Sequence, residues 1–175
     1  TTLATISSAS APATGPTLPS GYTHWAFIGA LYVNSGGTIE PVRIRGSRQY
    51  YVPVRNILNA GTATSETALS LTTLIPPIAN DVCVNPSTWS ITADGAGALA
   101  VTAALRLVTT VLYAHVINVS LTGLGAGNSA RSNVGAPLWL PNVSQNIYYL
   151  WTVTTGSTPS LTLDCMGFTV PNGDS

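Results

Sequence analysis

The chain has 175 residues, and its six acidic and six basic side chains cancel to a net charge of zero. That length fits one domain, or one domain with a short extension, and a domain of this size buries roughly 70% of the surface its unfolded chain exposes. Neutral balance argues against nucleic acid as the main partner, since phosphate binding draws on clustered positive charge. No run reaches the ~18 apolar residues of a membrane helix, so no membrane insertion is expected.

Neither an initiator Met nor a signal-peptide pattern is present. The chain starts inside a Thr/Ala/Ser-rich segment and is expected to be a piece of a longer polypeptide. Residues 1–19 read as an N-terminal arm or linker, Pro/Ala/Ser-rich from Ser7 to Pro19. Residues 20–175 read as the folded domain.

Strand signals dominate from there on: short runs of Val, Ile, Thr and Tyr bounded by Gly, Pro, Asn and Ser. Strands are expected near 3–9, 22–34, 38–45, 48–54, 67–74, 88–93, 98–119, 147–155 and 160–170. Pro19-Ser-Gly21 is a turn signal, and Asn34-Ser-Gly-Gly37 breaks two successive strands. Residues 98–119 read either as one bent strand or as two with a bulge, and 98–105 also as a helical turn or two. Loops are expected at 59–65, at 75–87 with Pro76, Pro77 and Pro86, and at 122–136, the longest and richest in Gly, Asn and Ser. Alternation is clean near the C-terminus. Ile147, Tyr149, Trp151 and Val153 share one face; Leu161, Leu163 and Cys165 share a face opposite Thr162, Asp164 and Met166. Many short strands with Gly/Pro turns predict an all-β antiparallel sandwich, jelly-roll-like.

A search for chemistry finds no nucleophile elbow, phosphate loop, HExxH, dinucleotide fingerprint or calcium loop. Six carboxylates show no spacing that singles out a glycosidase pair. No catalytic residue, metal site or cofactor is expected, and the chain does not read as an enzyme. His24 and His115 fall in strand segments, where a packed or hydrogen-bonded histidine is the ordinary case. Cys83 and Cys165 form no metal or redox pattern; buried free thiols are expected, with a disulfide left open. Asn118-Val-Ser120 and Asn142-Val-Ser144 match a glycosylation sequon by composition alone.

Two features point toward recognition. All six basic residues are Arg, and four of them, Arg43, Arg45, Arg48 and Arg55, crowd into thirteen positions. That cluster hints at an anionic partner, against the ordinary alternative of strand arginines paired with carboxylates or backbone. The long loop, with Asn128, Arg131 and Asn133, leads to Trp139, which lies between Pro137 and Pro141 and so does not suit a central strand. These four residues are the expected shallow polar-aromatic ligand site. Its alternative is a disordered loop or one packed between subunits.

Residues 4–54 carry a resemblance. Thr17-Leu-Pro-Ser-Gly-Tyr-Thr, Ile28-Gly-Ala30 and Gly46-Ser-Arg-Gln-Tyr-Tyr-Val52 are similar to a module of bacteriophage tail-fibre and virion appendage proteins. Those proteins carry an Ala/Ser/Thr-rich lead, then Pro-Thr-Leu-Pro-x-Gly-Tyr, an Ile- or Val-Gly strand and a Gly-Arg-x-x-Tyr-Val strand. Here Ser47 splits the Gly-Arg pair, and the Trp/Tyr-rich strand that commonly precedes the motif is absent. The resemblance implies a β domain on the virion tail, assembled in the bacterial host cytoplasm and often trimeric. It implies adhesion to bacterial surface polysaccharide or lipopolysaccharide, and contacts with other virion proteins. The rival expectation is a purely structural connector, collar or decoration domain. A homotrimer also follows from the apolar, charge-poor composition.

Overall fold

A computed structural model describes residues 17–24, 31, 33, 36–93, 105–106, 114–115, 129–132, 136–142, 144–151 and 157–171. Among them the regular elements are all strands. They are β1 (Val42–Arg45), β2 (Arg48–Gly61), β3 (Thr67–Ser70), β4 (Asp81–Ala93) and β5 (Leu105–Arg106). β6 (Ala114–His115), β7 (Ser129–Ser132), β8 (Leu138–Pro141), β9 (Asn146–Tyr149) and β10 (Ser157–Thr169) complete the set.

The main sheet runs β1-β2-β10-β4-β7, with β8 beside β7 on the same edge of β4, and every pairing is antiparallel. The last strand is thus inserted between two early ones. β1 and β2 form a tight hairpin around Gly46 and Ser47. Gly46 takes a φ of 60° and Ser47 an ordinary one, which suits a two-residue II′ loop. β3 and β9 pair as a second, small sheet, and β5 pairs with β6.

Burial follows the alternation of β10. Leu161, Leu163 and Cys165 are buried while Thr162, Asp164 and Met166 are half-buried. The same inner face carries Tyr51, Val82, Val84, Ile91 and Phe168, packed with Leu71, Ile75, Ile147, Tyr149 and Trp151 around the small sheet. The result is a sandwich-like pair of layers with one core. Polar groups lock the layers: Trp151 Nε1 donates to Gly61 O at 3.1 Å, Gln145 Nε2 to Ile75 O at 2.5 Å, and the Tyr51 hydroxyl to Leu74 O. Each such bond contributes about 1 kcal/mol net and satisfies a polar group that burial would otherwise orphan.

Several expected boundaries shift. Expected strand 48–54 continues to Gly61 and absorbs the start of the 59–65 loop, because β10 gives it a partner along most of its length. The proline-rich loop expected over 75–87 ends at Asn80. Pro86 lies inside β4, at the register shift that leaves Ser87 extra and between the stretches paired to β8 and β7. There its missing N–H and its bend cost little. The 67–74 strand stops at Ser70, where Leu74 N and Ile75 N bond back to Leu71 O. The 147–155 strand ends at Tyr149, and β7 occupies part of the 122–136 loop. Within 98–119 the structure describes only β5 and β6, and the rest of the stretch, with the alternative helical turns from 98, lies outside the described residues. β5 and β6 pair with each other, antiparallel, which a single bent strand would not do.

Near the start, Tyr22 N bonds to Pro19 O and Gly21 has a φ of 90°, as a type II turn demands. His24 is exposed and outside any strand, its Nδ1 2.8 Å from Thr23 Oγ1, whereas His115 does lie in β6. Of the expected 38–45 strand the structure gives β1, and Val33 bridges Ile39; residues 25–30, 32 and 34 of the expected 22–34 strand lie outside the described residues. The expected strand at 3–9, most of the arm and Val153 lie outside the described residues.

Candidate functional site

Alternation and register place a defined set of side chains on the outer face of the main sheet. Inward-facing Gln49, Phe168, Val82 and Leu140 are aligned across β2, β10, β4 and β8. The neighbouring rank therefore faces out: Arg43, Tyr50, Gly167, Cys83 and Trp139, again register partners in succession. Next to it lie Arg45, Arg48 and Thr169, in register, then Asp81. Thr169 Oγ1 joins Asp81 to the rank, accepting from Asp81 N at 2.9 Å and donating to Asp81 Oδ2 at 2.8 Å.

The two aromatic side chains reach across two intervening strands. The rings of Tyr50 and Trp139 meet edge to face, 5.9 Å between centroids and 82° apart. The register position between them on β10 is Gly167, where the strand packs close against β2. A Cβ on Gly167 would run into the backbone carbonyl of Gln49, with Tyr50 Cα at 3.0 Å. Arg48 lies over the indole, its Cζ 5.0 Å from the ring centroid, a cation–π contact of about 0.5–1 kcal/mol at an exposed site. Cys83 is buried on this side of the sheet, as the register partner of Trp139. Burial pushes its thiol up to about 11, with Arg48 pulling weakly the other way. It is therefore a packing group, not a nucleophile.

Cys165 belongs to the inner face, and its thiol is raised to about 12 by burial. The two cysteines are free. Facing opposite sides of the sheet, they are not poised to pair.

The arginine cluster divides. Arg55 forms an ion pair with buried Glu40. Arg43, Arg45 and Arg48 stay exposed on the outer face, and among the described residues none of the three has an ion-pair partner. Arg45 and Arg48 are direct cross-strand partners, a like-charge pairing that disfavours the hairpin.

Of the four expected ligand residues, Trp139 is half-buried in β8, an edge strand that accommodates Pro141. Arg131 lies in β7 opposite Ser90, while Trp139 lies opposite Cys83. Their backbone positions are separated by roughly 20 Å along β4 at ~3.3 Å per residue. Asn128 and Asn133 lie outside the described residues. The neighbours Trp139 does have, Arg48 and Tyr50, come from a segment some ninety positions earlier. Their i, i+2 spacing, repeated in Arg43 and Arg45, is the one signal in the sequence that they share a face.

Other candidates resolve as structure. Asn142 of the sequon donates to Ala79 O at 2.7 Å and accepts from Gln145 N at 2.9 Å. Asp164 accepts from Asn56 Nδ2 at 3.0 Å. Among the described residues no three His, Cys, Asp or Glu side chains gather into a cation site. No family model matches the chain, and no curated protein matches it.

Proposed function

We propose that this chain is a virion-surface β domain of a phage tail fibre or related appendage, and that it holds the virion to the bacterial host by binding surface glycan on the outer face of its main sheet. The observation that carries the reading is the Arg48–Trp139–Tyr50 assembly. Aromatic faces and edges pack against sugar C–H surfaces, while guanidinium and carboxylate groups bond the hydroxyls. A rigid sheet holds these groups in place, so little ordering is required on binding. The resemblance of residues 4–54 to appendage proteins supports the same reading. Its Gly46–Val52 motif builds the β1–β2 hairpin and supplies Arg48 and Tyr50.

One observation favours the structural rival, a connector or decoration domain. Leu31, Val33, Ile39, Ile44, Val52 and Val54 are all more than 40% exposed. Apolar surface of this extent is commonly covered in an assembly, and a homotrimer or a neighbouring virion protein would cover it. Labelled protein tested against a panel of bacterial strains separates the two. Saturable adsorption to some strains and not others supports adhesion. Adsorption to none, together with assembly onto other virion proteins, supports the structural role.

A further inference from the structure

We infer that the ligand of the outer face is an acidic glycan, one bearing carboxylate or phosphate groups, and that Arg43, Arg45 and Arg48 are the residues that read its charge. The inference deepens the adhesion reading and rests on it.

Three guanidinium groups stand on one face within two ranks of the sheet. Neither Arg43 nor Arg45 has a carboxylate partner among the described residues. Arg45 and Arg48 face each other directly, and the repulsion is relieved when an anion binds between them. Arg48 is held by the indole of Trp139, so its planar fork is oriented before any ligand arrives. An anti-aggregation role for edge arginines accounts for Arg43 and Arg45 on β1. It does not account for Arg48, which lies on β2 inside the sheet and docks on an aromatic ring three strands away.

The same face argues for a sugar over a nucleic acid. Asp81 is an acceptor at the end of the arginine rank. An acceptor there suits sugar hydroxyls, which the backbone of duplex DNA does not offer. The chain as a whole carries no excess positive charge to drive phosphate-backbone binding.

The test uses the whole 175-residue chain and immobilised polymers: polygalacturonate for carboxylate, poly(glycerol phosphate) for phosphate, neutral dextran, and duplex DNA. The expected result is salt-sensitive retention on one or both acidic polymers without the DNA, with the arm that binds naming the anion. The variant R43Q/R45Q/R48Q is expected to bind the acidic polymer at least about tenfold more weakly while unfolding at the parent's temperature. The single variant R45Q, which relieves the like-charge pair, keeps the test sound if the triple variant is unstable. It is expected to be as stable as the parent or more so, yet to bind more weakly. Retention on neither acidic polymer, equal retention on DNA, or unchanged binding by the variants overturns the inference. Whole-cell adsorption keeps the two readings apart. If the parent adsorbs to cells and the triple variant adsorbs equally, the acidic-glycan inference fails and adhesion stands. If the parent adsorbs to no cells, adhesion fails.

Discussion

Replacing Gly167 by Ala is the sharpest test of how the outer face is built. Gly167 sits in β10 with Tyr50 on one side and Cys83 on the other, beside a register shift in both ladders. Its φ is not in the left-handed region, so alanine meets no dihedral penalty. Through the unfolded chain alone the change would stabilise by about 0.4–1 kcal/mol. The added methyl, however, meets the Gln49 carbonyl oxygen, the Gln49 carbonyl carbon at 2.9 Å and Tyr50 Cα at 3.0 Å. These are backbone atoms of a paired strand and cannot swing aside as a side chain can. Overpacking of this kind costs about 1–3 kcal/mol, and the backbone contact puts this case at the upper end. The net expectation is a loss of about 2 kcal/mol. For a domain of this size that is a fall in Tm of roughly 4–8 °C, and a urea midpoint lower by roughly 1 M. Thermal and urea unfolding monitored by far-UV circular dichroism measure both. A variant as stable as the parent would refute the close β2–β10 approach at that position.

Further expectations follow from the core and its polar locks. Leu163→Ala, at a fully buried position facing the core, should cost about 2–5 kcal/mol; a loss below 1 kcal/mol in urea unfolding would place that side chain outside the core. Trp151→Phe removes the donor to Gly61 O and should cost about 1–3 kcal/mol through the unsatisfied carbonyl and lost area, with an unchanged strand spectrum. Both thiols are raised from 9.0, to about 11 at Cys83 and about 12 at Cys165. The folded state therefore holds these protons more tightly than the unfolded state. Their contribution is complete below pH 9 and declines as pH rises toward 11–12. Stability of the parent should fall across that window more steeply than that of a Cys83→Ser/Cys165→Ala variant; parallel curves would show that the thiols are not buried as described. A thiol reagent at pH 8 should label the native protein slowly and the urea-unfolded protein fast, and rapid native labelling would contradict the burial of both groups.

The sequence by itself determined the class of fold and much of the core. Alternation in Leu161–Cys165 and Ile147–Tyr149 is a local property: period-2 side chains must divide between a wet face and a dry one, whatever the partner strand is. Gly21 and Gly46 were legible for the same reason, since a turn needs a positive φ within a few residues of where it is written. Boundaries were less legible because partners set them. β2 extends to Gly61 because β10 lies beside it, and β4 admits Pro86 because a bulge and a gap between β8 and β7 coincide there. The site was half legible. Trp139 and the Arg43–Arg55 cluster are visible in the chain, but not that they meet. That meeting depends on β10 threading between β2 and β4 and on β8 joining the far edge of β4, pairings between segments that lie from 54 to 121 positions apart. Tertiary structure alone decided which arginines turn outward together, why Gly167 must be small, and that Arg48 lies over the indole of Trp139, because register across four strands is a non-local quantity that no single segment encodes.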